Sequence, residues 1–225
     1  MTNLSINQIL QGDCLEIMKS FPDKSVDLVL TDPPYGTNYQ SSWRTDKYDK
    51  IEGDLDILWF PEFASQAFRV LKDDTHIYVF CNDYFISDFR QSLEVAGFQI
   101  KRTLVWVKNN HTSGDLEGDY GNKTEFVLFA HKGRKPLNGK RDTNVLEFSR
   151  VATDIHPTQK PVDMFEYLVG KSSNESDLIL DPFAGSGTTG VACKNLKRNY
   201  ILIEKEPKYV EIIKERLANT TKTLF

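Results

Sequence analysis

The sequence has few cysteines, no long apolar run and no excess of positive charge. Its three cysteines, Cys14, Cys81 and Cys193, lie far apart and form no CxxC or CxxH pair, so their spacing indicates neither a zinc site nor a disulfide framework. Buried thiols are expected instead. No apolar run approaches the roughly 18 residues of a membrane span, and the N-terminus has neither a basic stretch nor an apolar signal core. These absences favour a protein of the cytoplasm or nucleoid without a membrane partner.

The charge balance bears on the kind of partner. A formal net charge of −4 over 225 residues argues against a general polyanion binder. It leaves room for a local basic face, because affinity for nucleic acid follows the clustered cations that meet the phosphates. The length predicts one α/β domain over residues 1–225.

Short apolar and β-branched runs alternate with helical patterns along the chain, which favours a largely parallel sheet covered on both faces. Seven strands are predicted, over residues 6–10, 26–31, 75–81, 103–107, 124–130, 178–181 and 200–203. Helices are predicted over residues 15–20, 59–71, 84–96, 162–169, 188–196 and 208–218. Gly97 is expected to end the third helix, and Pro207 to open the last one.

Two segments, residues 36–56 and 133–155, do not fit this alternation and are predicted to be loops. Ordered loops of more than about 12–15 residues are often functional. The first contains aromatic residues interleaved with cations, a combination suited to stacking and phosphate contact. The stretch 132–150, which includes most of the second, is net basic; this fits either a solvated surface run or a segment that contacts phosphates.

The segment Asp181-Pro-Phe-Ala-Gly-Ser-Gly-Thr-Thr-Gly predicts a nucleotide-binding turn. A strand ending at Asp181 leads into Gly185 and Gly187, which allow backbone to approach a ligand closely. Glu204 ends the next strand, where a carboxylate can accept the hydroxyls of a ribose. The glycines alone also fit a dinucleotide oxidoreductase or a turn that merely connects strand and helix. However, the carboxylate of Asp181 suits the ammonium group of S-adenosylmethionine better than a pyrophosphate.

The segment Asp32-Pro33-Pro34-Tyr35 follows the strand predicted over residues 26–31, at the carboxyl end where open α/β sheets keep their sites. A base amine is a poor nucleophile because its lone pair is delocalised into the ring. The Asp32 carboxylate and the Pro33 carbonyl, on a backbone of fixed φ, could accept its two hydrogens, and Tyr35 could stack on a flipped base. The alternative is a proline-rich turn capped by Asp.

With these two motifs the chain resembles the β-type DNA amino-methyltransferases, whose cofactor motif D-P-F-x-G-x-G-T is present at every fixed position and follows the D-P-P-Y motif. The resemblance implies a three-layer α/β methyltransferase fold. Its seven-stranded sheet would be mostly parallel with one antiparallel strand, and the order of its motifs circularly permuted. S-adenosylmethionine would be the cofactor, with Asp181, Phe183, Gly185, Gly187 and Glu204 as binding residues.

Two further matches extend the resemblance over nearly the whole chain. Residues 12–14 correspond to the element that contacts the cofactor adenine, which adds Asp13 and Cys14 to the binding set. Residues 156–161 match the family's H-P-T-Q-K-P box, which would bring Thr158 and Lys160 close to the methionine carboxylate. His156 is not required as a base, and no metal is required for this displacement.

We call residues Asp32–Tyr35 the clamp, because they would hold the base amine. An Asp at the first position of the clamp points, within this family, to adenine N6. The expected activity is therefore site-specific adenine-N6 methylation of double-stranded DNA by direct displacement on a flipped base, with residues 36–56 and 133–155 as target-recognition loops. The alternatives are cytosine-N4 methylation, RNA as substrate, or a non-catalytic nucleic-acid-binding subunit with the same fold. A homodimer and a restriction endonuclease partner are expected by family analogy alone.

Overall fold

The computed structural model describes residues 4–34, 57–111, 117–118, 120–151 and 159–220. Within these ranges one mixed sheet of eight strands is flanked by six helices. The strands are β1 (Gln8–Gln11), β2 (Val26–Thr31), β3 (Leu71–Cys81), β4 (Gln99–Val107), β5 (Thr124–Lys132), β6 (Val145–Glu147), β7 (Leu178–Asp181) and β8 (Asn199–Glu204). The helices are α1 (Cys14–Lys19), α2 (Phe60–Val70), α3 (Ile86–Ala96), α4 (Val162–Ser172), α5 (Thr188–Asn195) and α6 (Pro207–Asn219).

The strand order is β1-β8-β7-β2-β3-β5-β4-β6. β5 is antiparallel to both of its neighbours, and every other pair is parallel. The predicted mostly parallel sheet with one antiparallel strand is thus confirmed.

The predicted count of seven strands is wrong, because β6 adds an eighth within a segment predicted to be a loop. β6 has three residues and buries only Leu146, so it is too short to show a period-2 pattern. It exists because its backbone pairs with Val105–Val107 at the edge of the sheet.

Helices cover both faces of the sheet and form the expected three layers. Helices α1, α2 and α3 pack on one face through side chains such as Met18, Phe63 and Phe89. Helices α4 and α5 pack on the other face, and α6 joins that side through Ile213 and Leu217. Alternate residues of β3 pack against the two helix layers. Ile77 and Val79 face the layer of α1, α2 and α3, and Tyr78 and Phe80 face the layer of α4 and α5.

Two helices end or begin at the single residues predicted from the sequence. Gly97 ends α3 with φ of 110°, a left-handed conformation that favours glycine. Pro207 begins α6. The three cysteines are buried, as expected from their spacing. None of the helices in the described ranges is long and apolar enough to cross a bilayer.

Candidate active site

Three neighbouring strands bring the two sequence motifs together. β7 lies between β8 and β2, and all three run parallel, so their carboxyl ends meet at one edge of the sheet. Glu204 ends β8, Asp181 ends β7, and Asp32 directly follows β2. The Thr31 hydroxyl donates to Asp181 Oδ1 at 3.0 Å and links the two motifs directly.

Asp181 accepts three hydrogen bonds at this edge of the sheet. Its side chain is buried, with 3% exposed. Oδ1 also accepts the Phe183 N–H at 3.1 Å, and Oδ2 accepts the Thr189 hydroxyl. Burial disfavours the ionised form and raises the pKa of Asp181 to about 7. Asp181 therefore fixes the start of the turn over residues 182–187, here called the glycine turn. The predicted contact of Asp181 with the cofactor stays a prediction.

The glycine turn needs left-handed backbone at two positions, Gly185 with φ of 52° and Gly187 with φ of 80°. The Gly185 N–H donates to Glu204 Oε2 at 2.8 Å. A Cβ at Gly187 would lie 2.9 Å from Ile213 Cγ2. Gly187 therefore allows α6 to pack closely, and Gly185 ties the turn to β8.

Glu204 lies beside residues 12–14, where the resemblance places the adenine of the cofactor. Its carbonyl accepts the Gly12 N–H at 3.0 Å, and its Oε1 accepts the Glu206 N–H at 2.8 Å. Burial raises the pKa of the Glu204 carboxyl. The Asp13 side chain caps α1 by accepting a hydrogen bond from the Leu15 N–H. Cys14 is buried, which raises the pKa of its thiol to about 12. The structure thus brings Asp13, Cys14 and Glu204 to one corner.

Phe183 contributes an aromatic wall next to the turn. It is half-buried, and its ring centroid lies 5.1 Å from that of Trp59 and 5.6 Å from that of Phe63. Sequence analysis had not connected Trp59 with the site, because only the tertiary fold brings the start of α2 against this turn.

At the clamp, Pro33 is buried, while Asp32 and Pro34 are half-buried. Asp32 Oδ2 accepts a hydrogen bond from the Lys160 ammonium group. Lys160 is 5% exposed, and its backbone carbonyl accepts the Thr188 hydroxyl at 3.3 Å. Lys160 therefore contacts both the clamp and the helix that follows the glycine turn.

Sequence reasoning missed two charged residues at this end of the sheet. Glu125 Oε2 lies 3.3 Å from Lys160 Nζ, and Glu125 Oε1 lies 2.7 Å from Lys108 Nζ. The only local signal was a Glu near the start of an apolar strand, which is common on solvent-facing positions. The partners are 35 and 17 positions away in the chain, so the pairing depends on tertiary structure.

Several predicted site residues lie outside the described residues. These are Tyr35, Thr158 and the first predicted target-recognition loop, residues 36–56, together with the last part of the second, residues 152–155. Their predicted roles stay predictions.

The described part of the second predicted target-recognition loop packs largely against α4. The Asn138 side chain donates to the Gly170 and Ser173 carbonyls at 3.0 and 2.9 Å, and the Tyr167 hydroxyl donates to Asp142 at 2.8 Å. This segment begins where β5 ends, at the end of the sheet remote from Asp32. Lys132, which ends β5 and is the first cation of the net-basic stretch, is buried and donates to two backbone carbonyls. Residues 145–151 return to the clamp end beside β4.

Comparisons with known proteins agree with this geometry. The family model described as DNA methylase, of the N6 and N4 methyltransferases, matches residues 26–215. The type II methyltransferase M2.MboI of Moraxella bovis is 32% identical over 243 residues, which cover 96% of this chain and 89% of that protein.

Solved structures share the fold. The complex of M1.HpyAVI with S-adenosylmethionine matches with a TM-score of 0.73 and 33% identity, covering 93% of this chain and 99% of that one. The cytosine-N4-specific PvuII DNA methyltransferase has a TM-score of 0.75 at 21% identity, over 99% of this chain and 89% of its own, a likeness of fold. The chain therefore belongs to the DNA methylase family of S-adenosylmethionine-dependent N6 and N4 methyltransferases.

Proposed function

We propose that this protein transfers a methyl group from S-adenosylmethionine to the N6 amine of adenine in double-stranded DNA. The observation that carries the proposal is the adjacency of Asp32 and the glycine turn at the carboxyl ends of β2 and β7, joined by the hydrogen bond from Thr31 to Asp181. An amine held at Asp32 would face a cofactor held on the turn.

The residues around the turn fit the chemistry of the cofactor. The Glu204 carboxylate accepts the backbone N–H groups of Gly185 and Glu206. A carboxylate has about four acceptor positions, so it could also accept a ribose hydroxyl. Asp13 and Cys14 lie at the same corner and would border the adenine, with Phe183 as an apolar wall. Bound cofactor would supply an electrophilic methyl group.

The remaining cofactor assignments are made by family resemblance. Asp181, Gly185 and Gly187 would shape the turn around the methionine part. Thr158 and Lys160 belong to the same set, and the two contacts of Lys160 place it between the cofactor half and the clamp half of the site.

The clamp would prepare the amine for attack. The Asp32 carboxylate and the Pro33 carbonyl would each accept one amine hydrogen, which favours a pyramidal nitrogen whose lone pair points at the methyl group. Tyr35 would stack on the base, which has to leave the duplex to reach the site, and Pro34 would keep the turn rigid. Proximity and electrostatic alignment would provide most of the acceleration. The amine proton, acidic once the new bond forms, would leave to Asp32 or water.

The choice of adenine rests on Asp32 at the first clamp position. We assign target recognition to residues 36–56 and 133–155 of a single domain; within the second segment, residues 145–147 lie beside the end of β4, at the clamp end of the sheet. The type II methyltransferase relative is the reason to propose a restriction endonuclease as a functional partner. A homodimer follows from family analogy, and the nucleoid is the expected place of action because the substrate is DNA.

The test is to incubate the purified protein with labelled S-adenosylmethionine and unmethylated genomic DNA, digest the DNA to nucleosides and identify the product by mass spectrometry. N6-methyladenine is the expected product. N4-methylcytosine would keep the mechanism and overturn the choice of base. An absence of any methylated nucleoside, with cofactor binding intact in a calorimeter, would overturn the proposed activity.

A further inference from the structure

Glu125 lies outside both sequence motifs, but the fold brings it to the clamp. It is the second residue of β5, the antiparallel strand, and pairs in register with Trp106 near the end of β4. The next residue, Phe126, is in register with Cys81 at the end of β3. Because β5 runs opposite to its neighbours, its beginning lies at the edge where the parallel strands end. Glu125 therefore reaches the same edge as Asp32.

Four charged groups form a chain at this edge. The Lys160 ammonium donates to Asp32 Oδ2 and lies 3.3 Å from Glu125 Oε2, while Glu125 Oε1 lies 2.7 Å from Lys108 Nζ. The side chains of Lys160 and Lys108 are only 5% and 11% exposed, and those of Asp32 and Glu125 only 18% and 22%. Two carboxylates and two ammonium groups balance in charge.

This balance keeps the groups ionised in a poorly hydrated place. Burial alone would lower the pKa of Lys160, but the carboxylates of Asp32 and Glu125 outweigh it, and the net shift is upward. Burial alone would raise the pKa of Glu125, and the two lysines outweigh it in turn. An unpaired charge at this depth would be strongly unfavourable. Electrostatic attraction thus links each member of the chain to its neighbours, and Glu125 Oε2 meets Lys160 as an ion pair without a hydrogen bond.

We propose that Glu125 is a positioning residue of the methyl-transfer reaction, which holds the Lys160 ammonium between two carboxylates and thereby fixes the Asp32 carboxylate for the substrate amine. The inference rests on the proposed function of Asp32 as the amine clamp. An ammonium shared with Glu125 leaves more negative charge on Asp32 to accept an amine hydrogen. The Lys160 ammonium already donates to Asp32; without Glu125 its positive charge would act on Asp32 alone and weaken that carboxylate further as an acceptor.

The first test is Glu125→Gln, which keeps the shape and removes the charge. We expect kcat for DNA methylation to fall at least tenfold, with the KM for S-adenosylmethionine within twofold of wild type. An unchanged kcat, or a KM for S-adenosylmethionine that rises as much as kcat falls, would overturn the inference.

The matched control is Asp27→Asn. Asp27 forms a partly buried ion pair with Lys72 at 2.8 Å, and it lies on β2, the strand that leads to Asp32, near its opposite end. This variant should lose stability while its kcat per folded molecule stays at the wild-type value. A similar fall in kcat for Asp27→Asn would show that any lost ion pair on the sheet slows the enzyme, and would remove the case for Glu125.

A double-mutant cycle tests whether Glu125 acts through Lys160, and it does not require the single Gln variant to fold. Lys160→Met is compared with Lys160→Met/Glu125→Gln, which removes one charge of each sign. If Glu125 works by holding Lys160, the two proteins should have the same kcat within about twofold. A further tenfold loss in the double variant would refute the proposed route. If wild type binds cofactor and methylates no DNA, the proposed function fails; with an active wild type, these outcomes judge Glu125 alone.

Discussion

Replacing Asp181 with Asn should change how the stability of the protein depends on pH. In the folded state this carboxyl is buried and its pKa is raised from 3.8 to about 7. Below about pH 4 the folded and unfolded states both hold the proton, so the contribution of Asp181 to stability is fully present. Between pH 4 and 7 the unfolded chain releases the proton while the folded protein keeps it, and stability falls.

The size of the effect follows from the two pKa values. A difference of about three pH units corresponds to about 4 kcal/mol over the whole window, of which about 3 kcal/mol falls between pH 4.5 and 7.5. The free energy of unfolding of Asp181→Asn, minus that of wild type, should therefore rise by about 3 kcal/mol over that range. His76, whose pKa burial lowers to about 4, is present in both proteins and cancels from the difference.

The assay is urea unfolding followed by tryptophan fluorescence at four pH values from 4.5 to 7.5, without cofactor. Asp73→Asn is the control, because Lys24 lowers the pKa of this exposed carboxyl. The stability that the ionised Asp73 contributes is fully present above about pH 4 and is lost only below it. The free energy of unfolding of Asp73→Asn, minus that of wild type, should therefore stay constant over the range. If the Asp181→Asn difference is equally constant, the three hydrogen bonds to Asp181 hold it ionised and the reasoning is refuted.

The same variant tests the predicted cofactor role of Asp181. A neighbouring ammonium group favours the ionised carboxylate, so binding of S-adenosylmethionine to wild type should strengthen from pH 5 to 7, where the amino group of the cofactor is still protonated. Calorimetry of Asp181→Asn should show no such rise. A wild-type affinity that does not change with pH would argue against contact between this carboxylate and the methionine ammonium.

Four further substitutions test the site and its packing. Asp32→Ala should lower kcat by at least about 10²–10³-fold while calorimetry still detects cofactor binding; normal turnover would remove Asp32 from the mechanism. Glu204→Gln should weaken cofactor binding by about 10–100-fold, since hydrogen bonds to charged groups contribute about 1.5–3 kcal/mol, and unaltered affinity would show that the ribose lies elsewhere. Gly190→Ala would place Cβ 2.7 Å from Leu202 Cδ1 and should cost about 1–3 kcal/mol in urea unfolding. In Gly170→Ala, by contrast, the new Cβ meets no atom within 4 Å and should stabilise α4 by about 0.5–1 kcal/mol, so equal effects of the two glycine changes would contradict the packing argument.

Much of the architecture could be predicted from local patterns. The strands over residues 26–31 and 178–181 have the predicted bounds, because a buried strand in a parallel sheet is a nearly continuous apolar run, interrupted here only by Asp27, and each ends at a polar residue. The end of α3 at Gly97 and the start of α6 at Pro207 follow from the backbone preferences of single residues. β6 could not be predicted in this way, since three residues carry no period and only pairing with β4 defines them.

The same contrast holds for the segment after β5. Its cations suggest phosphate contact when they are considered as a composition. In the structure, Lys132, which ends β5, donates to backbone carbonyls near the end of α2, and Asn138, Lys140 and Asp142 contact α4. Composition gives the charge of a segment; it does not give the end of the sheet from which the segment starts, because this depends on the direction of β5.

The sequence by itself determined which chemistry the protein carries. The clamp and the glycine turn are contiguous motifs, so residue types at fixed spacing were sufficient to identify them and the family. Only the tertiary structure decided how they are joined and supported: the hydrogen bond from Thr31 to Asp181 spans 150 positions, and the ion pairs of Lys160 connect β2, β5 and the segment before α4. Strand order and strand direction create these contacts, and a buried charge acquires its partner only when distant segments of the chain fold against one another.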